Sequence, residues 1–190
     1  RDRNKSDLIV VGTTAAINNK AKGQQYFIEA MSKLKKYNIR YELVGSGDSN
    51  YLRSCALKNG VADRVVFKGQ MKHQQVLEWI DSLDIYIQPS MQEGLPRALI
   101  EAMSRACPAI GSSTGGIPEL LPSDAIFKRG NVDSLIKTFK TIIESDLDAK
   151  AKVNFNKAKE YELEKLNSRR NVVYLSLIHI SEPTRLGMIS

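Results

Sequence analysis

Short runs of β-branched and other apolar residues alternate along the chain with longer stretches in which apolar side chains recur every three or four positions, and Gly, Pro, Ser or Asp stands at each junction. The short runs read as strands and the longer stretches as helices with one apolar face. Their alternation predicts βα units building a parallel, doubly wound α/β sheet. The pattern predicts strands over residues 7–12, 40–44, 65–68, 85–88, 109–112 and 125–127. Helices are predicted over 24–36, with Phe27, Ile28, Met31 and Leu34 on one face, over 49–59, over 73–82, from Pro96 onward, and in a short piece over 117–121. From about 131 to 170 the pattern is helical throughout, and the lysine-rich, apolar-poor stretch 149–170 predicts a helix that packs across something outside its own domain. Open sheets of this kind bind ligands beyond the carboxyl ends of their strands, so functional residues are expected just after each strand.

A length of 190 residues sets the expected domain count at one. That domain is expected to span 1–174. The last segment, 175–190, continues neither the helical period nor the basic character before it; it resembles translated vector or adapter sequence and is expected to be a foreign tail. With 42% apolar and 26% charged residues, the composition excludes disordered and fibrous classes. No apolar stretch approaches the ~18 residues of a membrane span. The polar N-terminus leads into a strand, not a signal peptide, so a cytoplasmic domain is expected. Cys55 and Cys107 fall in two different predicted helical regions without metal-ligand spacing and read as reduced packing residues. The net charge of +7 calls for an anionic partner, whether nucleic acid, lipid headgroups or phosphorylated small molecules. No recognition motif or stacking aromatics accompany the charge, which argues against nucleic acid.

The segment richest in chemistry is Gln88-Pro89-Ser90-Met91-Gln92-Glu93-Gly94-Leu95-Pro96-Arg97-Ala98-Leu99-Ile100-Glu101-Ala102-Met103, across a predicted strand-to-helix junction. Pro96 suits the first turn of a helix, where its missing N–H has no intrahelical partner. Gly94 and Leu95 would then present free amides at the positive end of the dipole, which is an anion site. Glu93 falls in the loop before the helix and Glu101 about one and a half turns into it, near enough for one ligand to touch both. A carboxylate only accepts hydrogen bonds, which suits it to the paired hydroxyls of a ribose or a hexose. Taken alone, the pair reads more simply as a solvated helix residue and an acid that favours the dipole; the residues around it reverse that balance.

Those residues resemble the group 1 family of retaining glycosyltransferases, glycosyltransferase family 4, whose donor domain carries a Glu-x7-Glu motif in the setting Pro-Ser-x-x-Glu-Gly-x-Pro-x-x-x-x-Glu-Ala. Glu93 and Glu101 occupy its two carboxylate positions. The likeness runs from about Val10 to Phe127 and includes Lys22-Gly23, Gly45-Ser46-Gly47-Asp48, Val65-Val66-Phe67-Lys68-Gly69 and Ser112-Ser113-Thr114-Gly115-Gly116-Ile117-Pro118-Glu119. The resemblance implies the C-terminal half of a GT-B fold, Rossmann-like and donor-binding, with the N-terminal acceptor-binding domain missing and the lysine-rich helices crossing to it. For the full-length protein it implies a hexosyltransferase-type enzyme of polysaccharide biosynthesis. Such an enzyme moves a sugar from a nucleoside diphosphate sugar to a glycan or lipid-linked acceptor with retained configuration, needs no metal, and could work at the inner face of a membrane. The isolated domain is expected to be inactive.

By the same resemblance Glu93 would touch the transferred sugar's hydroxyls, Glu101 the ribose, and the amides of Gly94 and Leu95 beside Pro96 the diphosphate. Lys22 would set positive charge against that diphosphate, and Glu93 and Lys22 are the candidate catalytic residues. The family places an arginine a few residues before this lysine; residues 12–20 contain none, and Lys20 is the candidate substitute, although a point charge cannot reproduce a guanidinium fork. Gly69 and Gln70 would lie along the nucleobase through backbone groups.

Gly45 and Gly47 open like a dinucleotide fingerprint but lack its third glycine, so they read either as a tight turn letting the backbone approach the ligand or as a plain turn. Asp146-Leu147-Asp148 reads as solvated carboxylates, His73 as the polar residue that opens a helix, and Trp79 as core. A non-catalytic nucleotide-sugar-binding module is the competing class.

Overall fold

The computed structural model describes residues 8–161. Six strands form one wholly parallel sheet: β1 (Leu8–Thr14), β2 (Asn38–Val44), β3 (Val65–Gly69), β4 (Ile85–Gln88), β5 (Ala109–Ser112) and β6 (Ile126–Phe127). They lie in the order β3-β2-β1-β4-β5-β6. The chain therefore builds outward from β1 to β3, returns to the other side of β1, and builds outward again. This is the doubly wound, Rossmann-like order, and it leaves a topological switch point between β1 and β4. β1 is central, pairing with β2 along its whole length from Leu8↔Asn38 to Thr14↔Val44 and with β4 at Val11↔Ile85 and Gly12↔Tyr86. A strand covered on both faces needs apolar residues in succession, and Val10 and Val11 are both buried.

The helices are α1 (Gln24–Lys33), α2 (Asn50–Lys58), α3 (His73–Asp81), α4 (Arg97–Ser104), α5 (Ile117–Leu120), α6 (Val132–Ile143) and α7 (Leu147–Ala158). The apolar face read from residues 27, 28, 31 and 34 is fully buried. Phe27 stands edge-on to Tyr41 of β2 at 4.8 Å between ring centroids and tilted against Phe139 of α6 at 5.6 Å, so one ring joins two helices to the sheet. At the rim of this contact the Tyr37 hydroxyl donates to Glu144 at 2.5 Å and Lys36 donates to the same oxygen at 3.2 Å. Trp79 is core, as read, but its indole N–H also donates at 2.7 Å to the buried carboxylate of Glu42, which pairs with Arg40 at 2.9 Å.

The helical pattern from 131 onward is not continuous. α6 ends at Ile143, and Asp146 then accepts from the amides of Asp148 and Ala149 at 3.0 Å each, capping the start of α7. The start of the lysine-rich stretch packs by one face within its own unit. Leu147, Ala151, Asn154 and Ala158 are buried and follow a spacing of four, three and four, a seam that packs on α4. Two alanines and an asparagine make that seam faint on any hydrophobicity reading; Asn154 is held by donating to the Cys107 carbonyl at 3.1 Å. Cys107 itself sits in the turn between α4 and β5, not in a helix, and Pro96 stands just before the first residue of α4. Both cysteines are free. The chain divides into two units after Ala158, and of the second only the 3-10 turn Lys159–Tyr161 is described; the tail 175–190 lies outside the described residues. Among the described residues no helix is long and apolar enough to cross a membrane.

Because Phe27 joins α1, β2 and α6, Phe27→Ala is predicted to lower the unfolding free energy by about 3–5 kcal/mol, the usual cost of deleting a fully buried phenyl ring. Urea denaturation followed by circular dichroism measures it, and a loss below about 1 kcal/mol would show that this ring does not hold the layers together.

Candidate active site

The switch point opens into a cleft of about 270 Å³. β1 contributes Thr14 and the following Ala15, and the turn before α1 contributes Lys22. β4 contributes its last residue, Gln88; the loop after it and the first turn of α4 contribute Glu93 and the run from Leu95 to Ala98. Every wall thus comes from the carboxyl end of a strand or the helix that follows it.

Two loops that meet across the switch point fix this geometry. The Ala21 carbonyl accepts from the Met91 amide at 2.7 Å, and Gly23 lies so close to Pro89 that a Cβ there would sit 1.9 Å from the Pro89 carbonyl oxygen. Gly23 also has φ +73°, so glycine is required on both counts. From the other side the loop after β5 braces the same segment. Gly116 donates to the Gly94 carbonyl at 2.9 Å, Ser112 donates to the Ser90 carbonyl at 2.5 Å, and Gly115, at φ +53°, would bring a Cβ to 2.0 Å from the Glu93 carbonyl oxygen. The run Ser112 to Gly116 therefore supports Glu93 without lining the cleft.

Glu93 is held from beneath. Its Oε2 accepts from Lys22 Nζ at 3.0 Å, from the Ser90 hydroxyl at 2.9 Å and from Gln88 Nε2 at 3.2 Å, while Oε1 accepts from Lys22 alone at 3.2 Å. One oxygen is saturated and the other keeps lone-pair capacity, so the carboxylate is fixed in orientation yet can still accept a hydroxyl. The pair is partly covered, with 27% of the Lys22 side chain and 11% of the Glu93 side chain exposed. Gln88 is oriented in turn by Tyr86, whose hydroxyl donates to Gln88 Oε1 at 3.0 Å and accepts from the Thr14 amide at 3.3 Å. Burial pushes the Tyr86 phenol well above its ordinary pKa, so it stays a neutral donor throughout the working pH range.

The mouth of α4 presents backbone amides toward the cleft. Leu99 and Ile100 donate to the Pro96 carbonyl, but the amides of Gly94, Leu95, Arg97 and Ala98 have no acceptor among the described residues. Glu101 is the fifth residue of α4, about 6 Å along the helix axis from Arg97. It does not line the cleft; its side chain is 37% exposed, and Oε1 lies 4.0 Å from His73 Nδ1. A ligand touching both acids must therefore extend along α4 from the cleft toward α3.

Other residues singled out from the sequence fall outside the cleft lining. Lys20 Nζ sits over the Tyr51 ring at 4.4 Å from its centroid. Gly45 packs against the Ala15 carbonyl and Gly47 against Asn18, and Gly69 accepts from the Gly45 amide at 2.9 Å beside the exposed Gln70. Sequence reasoning did not name Thr14, Gln88, Ser90 or Arg97 as functional; their positions at strand ends and inside the Gln88–Met103 segment were the available signal. Among the described residues no cluster of His, Cys, Asp and Glu could hold a metal ion.

Residues 2–161 match the family described as Glycosyl transferases group 1. The chain is 34% identical over 160 residues to Protein CapJ of Staphylococcus aureus, a match covering 82% of this chain and 41% of CapJ. Among solved structures it resembles the C-terminal domain of a glycosyl transferase group 1 family protein from Francisella tularensis, with a TM-score of 0.70, 22% identity, and coverage of 82% of this chain and 87% of that one. It also resembles Anabaena HepE in complex with UDP and glucose, with a TM-score of 0.74, 21% identity, and coverage of 89% of this chain and 48% of that one. The chain spans less than half the length of CapJ and HepE, and most of the Francisella C-terminal domain, so its fold is that of the C-terminal half of a GT-B enzyme. By its sequence match over most of its length, this chain belongs to the group 1 glycosyltransferase family.

Proposed function

We propose that this chain is the nucleotide-sugar-binding half of a retaining glycosyltransferase, and that the cleft at the switch point holds the diphosphate and transferred sugar of the donor. The observation that carries the reading is the fixed carboxylate of Glu93, set between Lys22 and a helix mouth whose amides have no acceptor among the described residues. A diphosphate would take up those amides and the Lys22 ammonium, and Glu93 Oε1 would accept from hydroxyls of the transferred sugar. Glu101 would accept from the ribose hydroxyls, with the ligand lying along α4. HepE, whose fold this chain shares, is known with UDP and glucose bound, which supports a nucleotide-sugar ligand here.

The chemistry follows from where charge develops. As the bond between the anomeric carbon and the diphosphate breaks, negative charge grows on the departing oxygen, and a lysine and oriented amides already in place stabilise it without reorganising. In the family reading the acceptor attacks from the face the diphosphate leaves, so configuration is retained and no enzyme nucleophile is required. The acceptor, a glycan or lipid-linked sugar, would be presented by a second domain. The charge of +7 favours the anionic donor and an anionic membrane surface bearing the acceptor.

A panel of uridine, guanosine and adenosine diphosphate sugars tests the binding claim by thermal shift. One of them at about a hundred times its Kd is expected to stabilise the fold by about 2.7 kcal/mol, and Glu101→Ala is expected to remove most of that shift. No shift with any of the three would contradict the reading. In the full-length parent, Glu93→Gln and Lys22→Ala are each expected to lower kcat/KM by roughly ten- to a hundredfold, the range for one charged hydrogen bond. Unchanged turnover in both variants would favour a cleft that binds without taking part in transfer.

A further inference from the structure

The cleft is lined by three charged side chains, Lys22, Glu93 and Arg97. Lys22 pairs with Glu93 at 3.0 Å, so the two together add no net charge to the cleft, although the ammonium can still donate to a phosphate. Lys20, the other cation near this turn, sits over the Tyr51 ring, and the Arg129 guanidinium donates to the Met91 carbonyl. The excess positive charge of the cleft therefore rests on Arg97.

Arg97 occupies a position that the fold itself disfavours. It is the first residue of α4, at the positive end of the helix dipole, where a cation is repelled and an acid would be favoured. It stands four residues before Glu101, on the same face of the helix, yet no ion pair joins them; among the described residues Glu101 instead lies 4.0 Å from the His73 imidazole. Among the described residues no carboxylate pairs with Arg97, and the side chain is exposed. A residue that breaks a local rule with no internal compensation marks a place where something outside the chain supplies it. An anion seated on the amides of Gly94, Leu95, Arg97 and Ala98 would do so, turning the repulsion between the helix mouth and the guanidinium into shared attraction.

We propose that Arg97 is a ligand-binding residue of this cleft, the cation that gives it net positive charge and grips the diphosphate beside the α4 amides. The inference rests on the donor-binding reading above and adds a residue to it. It also implies that the guanidinium distinguishes a diphosphate from a monophosphate, because the Lys22–Glu93 pair and the amides serve either, while a second phosphate brings charge that, among the described residues lining the cleft, Arg97 alone meets without a carboxylate partner.

Isothermal titration of the 190-residue chain with uridine, guanosine and adenosine diphosphates, and with the matching monophosphates, tests this. One diphosphate is expected to bind the unaltered chain. Arg97→Ala is expected to weaken that diphosphate by roughly ten- to a hundredfold, to weaken the matching monophosphate by less, and to leave the ligand-free melting temperature unchanged or slightly higher. Arg97→Lys is expected to fall between, keeping the charge but not the fork. If the diphosphate binds Arg97→Ala as tightly as the unaltered chain while Lys22→Ala weakens it, the assignment of Arg97 is wrong and the reading of the cleft stands. If none of the three diphosphates binds the unaltered chain, both are wrong.

Discussion

The ion pair between Lys22 and Glu93 joins two loops that leave neighbouring strands at the point where the sheet reverses, and every group the cleft can offer a ligand depends on that junction. Lys22 belongs to the segment after β1, and Glu93 to the segment after β4, 71 residues away in sequence. Alone, a partly exposed pair of this kind would hold little, since side-chain entropy and solvent screening oppose it. Here the backbone does most of the work. The Ala21 carbonyl meets the Met91 amide, Gly23 lies against Pro89, and Gly115 and Gly116 close on Glu93 and Gly94 from the other side. Three loops interlock at distances only glycine permits, and the ion pair forms between side chains already brought together.

Beneath the pair runs a buried polar chain from Thr14 through Tyr86 and Gln88 to Ser90 and Glu93. Each member is oriented by the next, so the carboxylate has one saturated oxygen and one available. On the proposed function, fixing such a group before the ligand arrives would remove reorganisation from the chemical step. The same logic applies at the mouth of α4, where the amides of Gly94, Leu95, Arg97 and Ala98 meet no acceptor among the described residues.

The strand and helix order was legible because βα periodicity is set by burial on both faces of a parallel sheet, and all six strands lie within two residues of where the pattern places them. The two acids could be singled out because they share a segment whose residue order is distinctive, and Lys22 because Lys22-Gly23 stands just before the first predicted helix. Other features were hidden for physical reasons. The seam of α7 is built from Ala151, Asn154 and Ala158, side chains too small or polar to register as an apolar face. Cys107 looked helical because the apolar run continues past the end of α4 into the turn before β5. The place of Lys20 depends on Tyr51, 31 positions away, and no spacing rule connects them. The part of Gln88 depends on a tyrosine whose hydroxyl turns inward to Thr14, which is a tertiary fact.

The central claim is that the helix mouth beside Lys22 and Glu93 receives a diphosphate. Amide chemical shifts of isotopically labelled protein, recorded while a nucleoside diphosphate is added, test it most directly. The account predicts that the resonances of Gly94, Leu95, Arg97 and Ala98 move together and saturably, with Gly23 and Gly115 nearby following. Saturable shifts confined to other parts of the sheet, with those four amides unmoved, would contradict it.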